Sequence, residues 1–249
     1  MAASIKSTNS YGQYCPLALA AELLCRRWTI LIVSRLIDGC TTFSEIQEGV
    51  PRISPSLLST RLAELEHAGI VRRTNLKGTG RHTYDVTQAG RDLEGIITDL
   101  AVWGQQWARD NELDDLDLGF LAWSMSLRIN TELMPPGRTV IGFEFSGTPT
   151  DFRRFWLVND AGKVDMCFKH PGYETDLLVR GDLRVFVETW RGFRDLRTEI
   201  ESRRIRLTGA GTLRKAFPDW LMLSMFADIK RKAPGRERRL TARRERKAG

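Results

Sequence analysis

Apolar residues recur at helical spacing through the first hundred positions and then switch to strand spacing. Leu17, Ala20, Ala21 and Leu24 share one face of a helix that opens at Pro16. A second helix is predicted from about Arg27 to Ile37, with Trp28, Leu31, Ile32 and Leu36 on one stripe. Asp38-Gly39 ends it, because glycine accepts the left-handed geometry past a helix end. Thr42-Phe43-Ser44-Glu45 fits a capping box and starts a short helix over 43–49. Ser54 is a good N-cap, and Pro55 at the first helical position loses no needed donor. That helix runs to about His67 and stops at Gly69, with Leu58, Leu62 and Leu65 as its buried stripe. A hairpin follows: a strand over 70–74, a glycine-rich turn over 77–80, and a return strand from His82 to Val86. Thr87 then caps a long helix predicted to reach Arg109, striped by Leu93, Ile96, Ile97, Leu100, Trp103, Gly104 and Trp107.

An acidic stretch (Asp110, Glu112, Asp114, Asp115, Asp117) marks the junction. A helix with Phe120, Trp123, Ser124 and Leu127 bridges toward the break at Met134-Pro135-Pro136-Gly137. Beyond it Ile141, Phe143 and Phe145 alternate as a strand, and Phe155 to Val158 is another short strand. Asn159-Asp160-Ala161-Gly162 makes a hairpin turn into Val164, Met166 and Phe168. A strand at 177–179, a helix capped by Asp182, a short helix around Ile200, a strand at 205–207 and a helix bearing Leu213, Phe217, Trp220 and Leu221 complete the order. The expected class is α+β. The expected domains are 11–110, a linker with its helix over 111–136, 137–229, and a disordered basic tail over 230–249.

In the first half the order is helix, helix, short helix, turn, capped helix, hairpin, helix. That is the order of a winged helix-turn-helix, whose second helix enters the major groove of double-stranded DNA. Residues opposite Leu58, Leu62 and Leu65 must then face DNA: Ser56, Ser59 and Thr60, with Arg61 at the border. Small hydroxyl side chains allow close approach and bond bases or phosphates. Thr42, Ser44 and Ser54 sit at the two helix starts. Arg52, Lys77, Arg81 and His82 are placed to reach the backbone from the flanking turn and the wing.

Length and charge add a second domain and a tail. The chain has 249 residues, more than the commonest single domain, with 42% apolar and 28% charged residues. Positions 230–249 hold ten Lys/Arg against two Glu, a net +8 set against +7 for the whole chain. Everything before the tail is therefore close to neutral. Such a tail either adds sequence-independent phosphate attraction or only solubilises. Met1–Ser10 has no apolar signal core, and no apolar run reaches the roughly 20 residues of a membrane span, so the expected compartment is the cytoplasm, without membrane association. The four cysteines form no C-x-x-C pair and the three histidines are scattered, which argues against zinc or any other metal or cofactor. The second half has no nucleophile-base pair or paired-carboxylate motif, which argues against an enzyme. Its aromatic side chains are either an ordinary core or the lining of an apolar ligand pocket, for which Phe143, Phe145, Trp156, Met166, Phe168, Phe186, Trp190 and Trp220 are the candidates.

Residues 15–109 resemble the HxlR family of transcriptional regulators, relatives of the MarR group. The matching pieces are Cys15-Pro16, Arg27-Trp28-Thr29-Ile30-Leu31, Phe43-Ser44-Glu45-Ile46, Ile53-Ser54-Pro55 with Leu58, Arg61-Leu62, Glu64-Leu65, Gly69-Ile70-Val71, and Tyr84, Thr87 and Gly90. The resemblance implies a homodimer on a pseudo-palindromic operator, joined through the N-terminal helix and the long helix with Trp103 and Trp107. Ser56 stands where the family often has a basic residue, so the bases read do not carry over. Cys15 falls where some members carry a redox-sensing cysteine; a buried structural thiol is the other reading. Positions 137–222 resemble the sterol-carrier-protein-like fold. The resemblance rests on Asp176-Leu177, Gly181-Asp182-Leu183, Phe186, Trp190, Gly192, Ile205-Arg206-Leu207-Thr208-Gly209, Leu213, Phe217 and Trp220-Leu221. It implies an apolar tunnel for a lipid-like effector. The expected function is a repressor answering to an apolar small molecule or to thiol oxidation. The alternative is a carrier of lipids or hydrophobic small molecules whose winged helix docks proteins.

Overall fold

The computed structural model describes residues 10–75, 82–109, 115–149 and 152–232. The chain divides into two units, Met1–Asp99 and Leu100–Gly249.

The first unit holds α1 (Pro16–Leu24), α2 (Thr29–Ile37), α3 (Phe43–Gly49), α4 (Pro55–His67), the hairpin strands β1 (Val71–Asn75) and β2 (His82–Val86), α5 (Gln88–Arg91) and the start of α6 (Glu94–Trp107). Ile32, Val33 and Leu36 of α2, Ile46 of α3, Leu58, Leu62 and Leu65 of α4, Val71 and Tyr84 are buried, and they make its core. The strands pair antiparallel from Val71↔Val86 to Asn75↔His82. The wing tip expected over 77–80 and at Arg81 lies outside the described residues.

Three expectations change in this unit. The second helix begins at Thr29, because Trp28 takes the left-handed conformation, φ 80°. For a bulky L-residue that geometry costs about 1–2 kcal/mol. In α2 the buried positions are Ile32, Val33 and Leu36, whereas Leu31 is exposed. The long helix after Thr87 is two helices. Thr87 does cap through its hydroxyl, but α5 closes at Arg91 and the amide of Leu93 bonds back only three residues, to Gly90. Gly90 is fixed by the hairpin: a Cβ there would lie 2.5 Å from the carbonyl oxygen of Ile70.

The second unit takes up the rest of α6, then α7 (Leu118–Ser126), β3 (Arg138–Ser146), β4 (Arg154–Asp160), β5 (Lys163–Cys167), β6 (Leu177–Asp182), α8 (Leu183–Trp190), α9 (Leu196–Glu201), β7 (Ile205–Gly209) and α10 (Gly211–Trp220). The sheet order is β5-β4-β3-β6-β7, antiparallel except for the β3–β6 pair. Ala161 (φ 51°) and Gly162 (φ 89°) make the tight turn between β4 and β5, and Asn159 accepts a hydrogen bond from the Gly162 amide. Two residues with positive φ match the twist of a hairpin. The α+β expectation holds. The helix set apart as part of a linker, α7, buries Leu118, Leu121, Ala122 and Met125 in the core of this unit.

One face of the sheet is sealed by aromatic side chains. The rings of Phe143 and Phe155 stack at 4.7 Å, and those of Phe145 and Phe186 lie 4.9 Å apart. Phe217 and Trp220 from α10 and Trp190 from α8 complete that layer. Glu199 is buried at its edge, with Arg204 and Arg194 pairing to its carboxylate.

Candidate nucleic-acid interface

The two helix starts of the reading head form as their sequences dictate. The Thr42 hydroxyl accepts from the Glu45 amide, while Glu45 Oε2 accepts from the amides of Thr41 and Thr42 at 2.8 and 2.9 Å. Those backbone donors hold the Glu45 carboxyl below its ordinary range. Ser54 accepts from the Leu57 amide at 3.3 Å, and Pro55 takes the first helical position.

With Leu58, Leu62 and Leu65 turned inward, α4 leaves Ser56, Ser59 and Thr60 exposed. Ala63 shares that exposed face; hydroxyl and charge patterning does not single it out, although a small apolar group there suits contact with a thymine methyl. The Thr60 hydroxyl donates to the Ser56 carbonyl, which fixes its rotamer. Ser44 on α3 and Arg52 in the turn before α4 are exposed as well. In the hairpin, His82 Nδ1 lies 2.7 Å from Asn75 Oδ1 at the last described pair. Arg72 and Arg73 on β1 are exposed cations that sequence reasoning misses, because they sit inside a strand and not in its turn. Lys77 and Arg81 lie outside the described residues. Arg61 departs from its expected place: it is half-buried, and its guanidinium bonds to the Arg27 carbonyl and to Glu64.

The cysteines separate by environment. Cys15, at the N-cap of α1, and Cys25, at its C-cap, are both exposed, so the reading of Cys15 as a buried thiol fails. Cys40 is the buried one, and burial pushes its thiol up to about 11. Burial and then Asp165 raise that of Cys167.

The eight candidates for an apolar pocket do not converge on one cavity. Phe143, Phe145, Phe186, Trp190 and Trp220 fill the core, and Met166 packs at its margin. Trp156 points to the other face of the sheet, its ring 5.3 Å from that of His170. Phe168 is exposed and packs on Phe152. A cleft of about 440 Å³ opens instead beside Phe193, Leu196, Pro218, Leu221 and Leu223, together with Arg194 and Arg197. Among the described residues no group of His, Cys, Asp and Glu is placed to hold a metal ion, and no helix is long and apolar enough to cross a membrane.

Similarity to known proteins is concentrated in the reading head. The sequence pattern of the HxlR-like helix-turn-helix family matches residues 23–112. The HTH-type transcriptional regulator YvaP of Bacillus subtilis is 36% identical over 105 residues, which span 41% of this chain and 97% of that protein. The regulator YodB of the same organism is 36% identical over 100 residues, 39% of this chain and 89% of YodB. The solved structure of reduced YodB aligns over 40% of this chain and 100% of its own, with 35% identity and a TM-score of 0.35. The capped α3, the α4 that follows it and the paired hairpin strands therefore have counterparts in sequence along nearly the whole length of these relatives, and the chain belongs to the HxlR-like helix-turn-helix family of DNA-binding transcriptional regulators.

Proposed function

We propose that the protein is a homodimeric repressor that reads a pseudo-palindromic site on double-stranded DNA with α4. The carrying observation is the division of α4: three leucines are sealed inside, and Ser56, Ser59 and Thr60 are left as a narrow polar face. Such a face enters a major groove without steric conflict and bonds base edges or phosphates. Thr42, Ser44, Arg52, Ser54, Arg72, Arg73 and His82 flank it and supply backbone contacts. Dimerisation is supported by the stripe Ile96, Leu100, Trp103 and Trp107 on α6 and by Leu17 and Leu19 on α1, all exposed. A second copy of the chain covers such a stripe and sets two reading helices about one DNA turn apart.

The second unit serves as the effector domain, taking an apolar small molecule, and Cys15 offers a thiol input. YodB has been studied in diamide-treated and quinone-bound forms, and Cys15 is exposed at a helix start. Repression is the simpler sign of control, since a dimer seated on a promoter blocks it by occupancy.

The test is selection of genomic fragments by the purified full chain, followed by affinity measurements on the selected and a scrambled DNA across a salt series. Wild type should prefer the selected DNA, and Ser59→Asp, which sets an anion against phosphate, should abolish that preference. Equal binding to both DNAs would sink the reading. Loss of transcription of the neighbouring genes on deletion would make the protein an activator.

A further inference from the structure

The guanidinium of Arg61 is spoken for on two sides. Nε donates to the carbonyl oxygen of Arg27 at 3.1 Å, and a terminal nitrogen lies 2.6 Å from Glu64 Oε2. The other oxygen of Glu64 pairs with Arg26 at 2.9 Å. Arg26 in turn donates through Nε to the carbonyl of Glu22 in α1 at 3.0 Å. These bonds run from the middle of α4 to the turn between α1 and α2. That turn holds Trp28 in its left-handed conformation, with the Arg27 guanidinium 4.9 Å from the centre of its ring.

We infer that Glu64 is a positioning residue of the reading helix: it holds Arg61 and Arg26 as a brace between α4 and the Trp28 turn, and Arg61 serves that brace instead of touching DNA. The inference rests on α4 being the DNA-reading helix. Charge alone gives no reason for a carboxylate on that helix, because an anion near phosphate opposes binding. Two guanidiniums on one carboxylate give the reason. The Arg61 side chain is only 17% exposed, which leaves little of it for a phosphate. A lysine at 61 would lack the planar fork that bonds a carbonyl and a carboxylate together.

Glu64→Gln, Arg61→Ala and the double variant of the full chain decide it, on the selected and the scrambled DNA. Glu64→Gln is isosteric, and hydrogen exchange in β3 and α8 confirms that the rest is folded. A brace predicts that both single variants weaken selective binding roughly tenfold, the size of one lost base match. The double variant should be no worse than the singles, and the salt slope should stay unchanged. A phosphate contact at Arg61 predicts the reverse: Arg61→Ala lowers the slope by about 0.9, and Glu64→Gln tightens binding to both DNAs. That result overturns the inference. Hydrogen exchange without DNA supplies an independent arm: Glu64→Gln should speed exchange in α4 and at the start of α2. If wild type selects no DNA, the proposed function fails and this arm alone judges the brace; unchanged exchange there overturns it.

Discussion

The two units build their cores from different side chains. In the second, the largest side chains close on one another: Phe143, Phe145, Phe155, Phe186, Phe217 and Trp220 are all at most 1% exposed. The first closes a smaller core of leucine, isoleucine and valine, and both leave apolar side chains exposed: Leu17, Leu19, Leu31 and Ile96 in the first, Leu100, Trp103 and Trp107 in the second. A stripe at helical spacing thus has two fates. It is buried by its own chain where a sheet stands behind it, and it waits for another surface where nothing does. The buried aromatic layer contributes stability, and the exposed stripe is the surface proposed for a second copy of the chain.

The contrast breaks first at the aromatic layer. Phe143→Ala should cost about 3–5 kcal/mol, by the usual cost of emptying a packed site. It should read as a lowered melting temperature with early hydrogen exchange in β3 and β4. A change under about 1 kcal/mol would mean that the layer is loosely packed. Next in size is the exposed stripe. Trp103→Asp should raise the dimer dissociation constant roughly thirtyfold, the hot-spot scale for a buried tryptophan, seen by sedimentation at falling concentration. A monomeric wild type would remove the basis of that contrast. Smaller again is the capping box. Because the folded Glu45 carboxyl lies below its ordinary range, its contribution is complete above the unfolded value near 4.3 and is lost as pH falls through the folded one. Glu45→Gln should therefore cost roughly 0.5–1 kcal/mol at neutral pH, a gap that closes as pH falls through the folded value; a gap unchanged in acid would assign the effect to packing. The last test sorts thiols. At pH 8 iodoacetamide should label Cys15 and Cys25 in the folded protein, while Cys40, pushed up to about 11, reacts only after unfolding.

Local chemistry is legible in the order of residues alone. Ser54, Pro55, the Thr42–Glu45 box and the leucine stripe of α4 depend on neighbours within one or two helical turns, so spacing places them. Arg61 cannot be read that way. Its decisive partner is the carbonyl of Arg27, 34 residues earlier, and a side chain's partner across the fold leaves no periodic trace. The close approach at Gly90 is hidden for the same reason, since the Ile70 carbonyl lies against it. The pocket candidates fail through ambiguity. An aromatic residue at an inward strand position reads alike whether it lines a cavity or fills it. Only the ring-to-ring distances separate the two.

The division between sealed and open tryptophans has an optical consequence. Trp190 and Trp220 are enclosed, whereas Trp103 is 60% and Trp107 48% exposed, both on the stripe assigned to the partner copy. Intrinsic fluorescence then carries two populations: a blue component shielded from aqueous quenchers and a red one open to them. Covering the stripe transfers emission from the second to the first without any added dye. Intrinsic fluorescence would thus report the proposed assembly while DNA or a small molecule is titrated in.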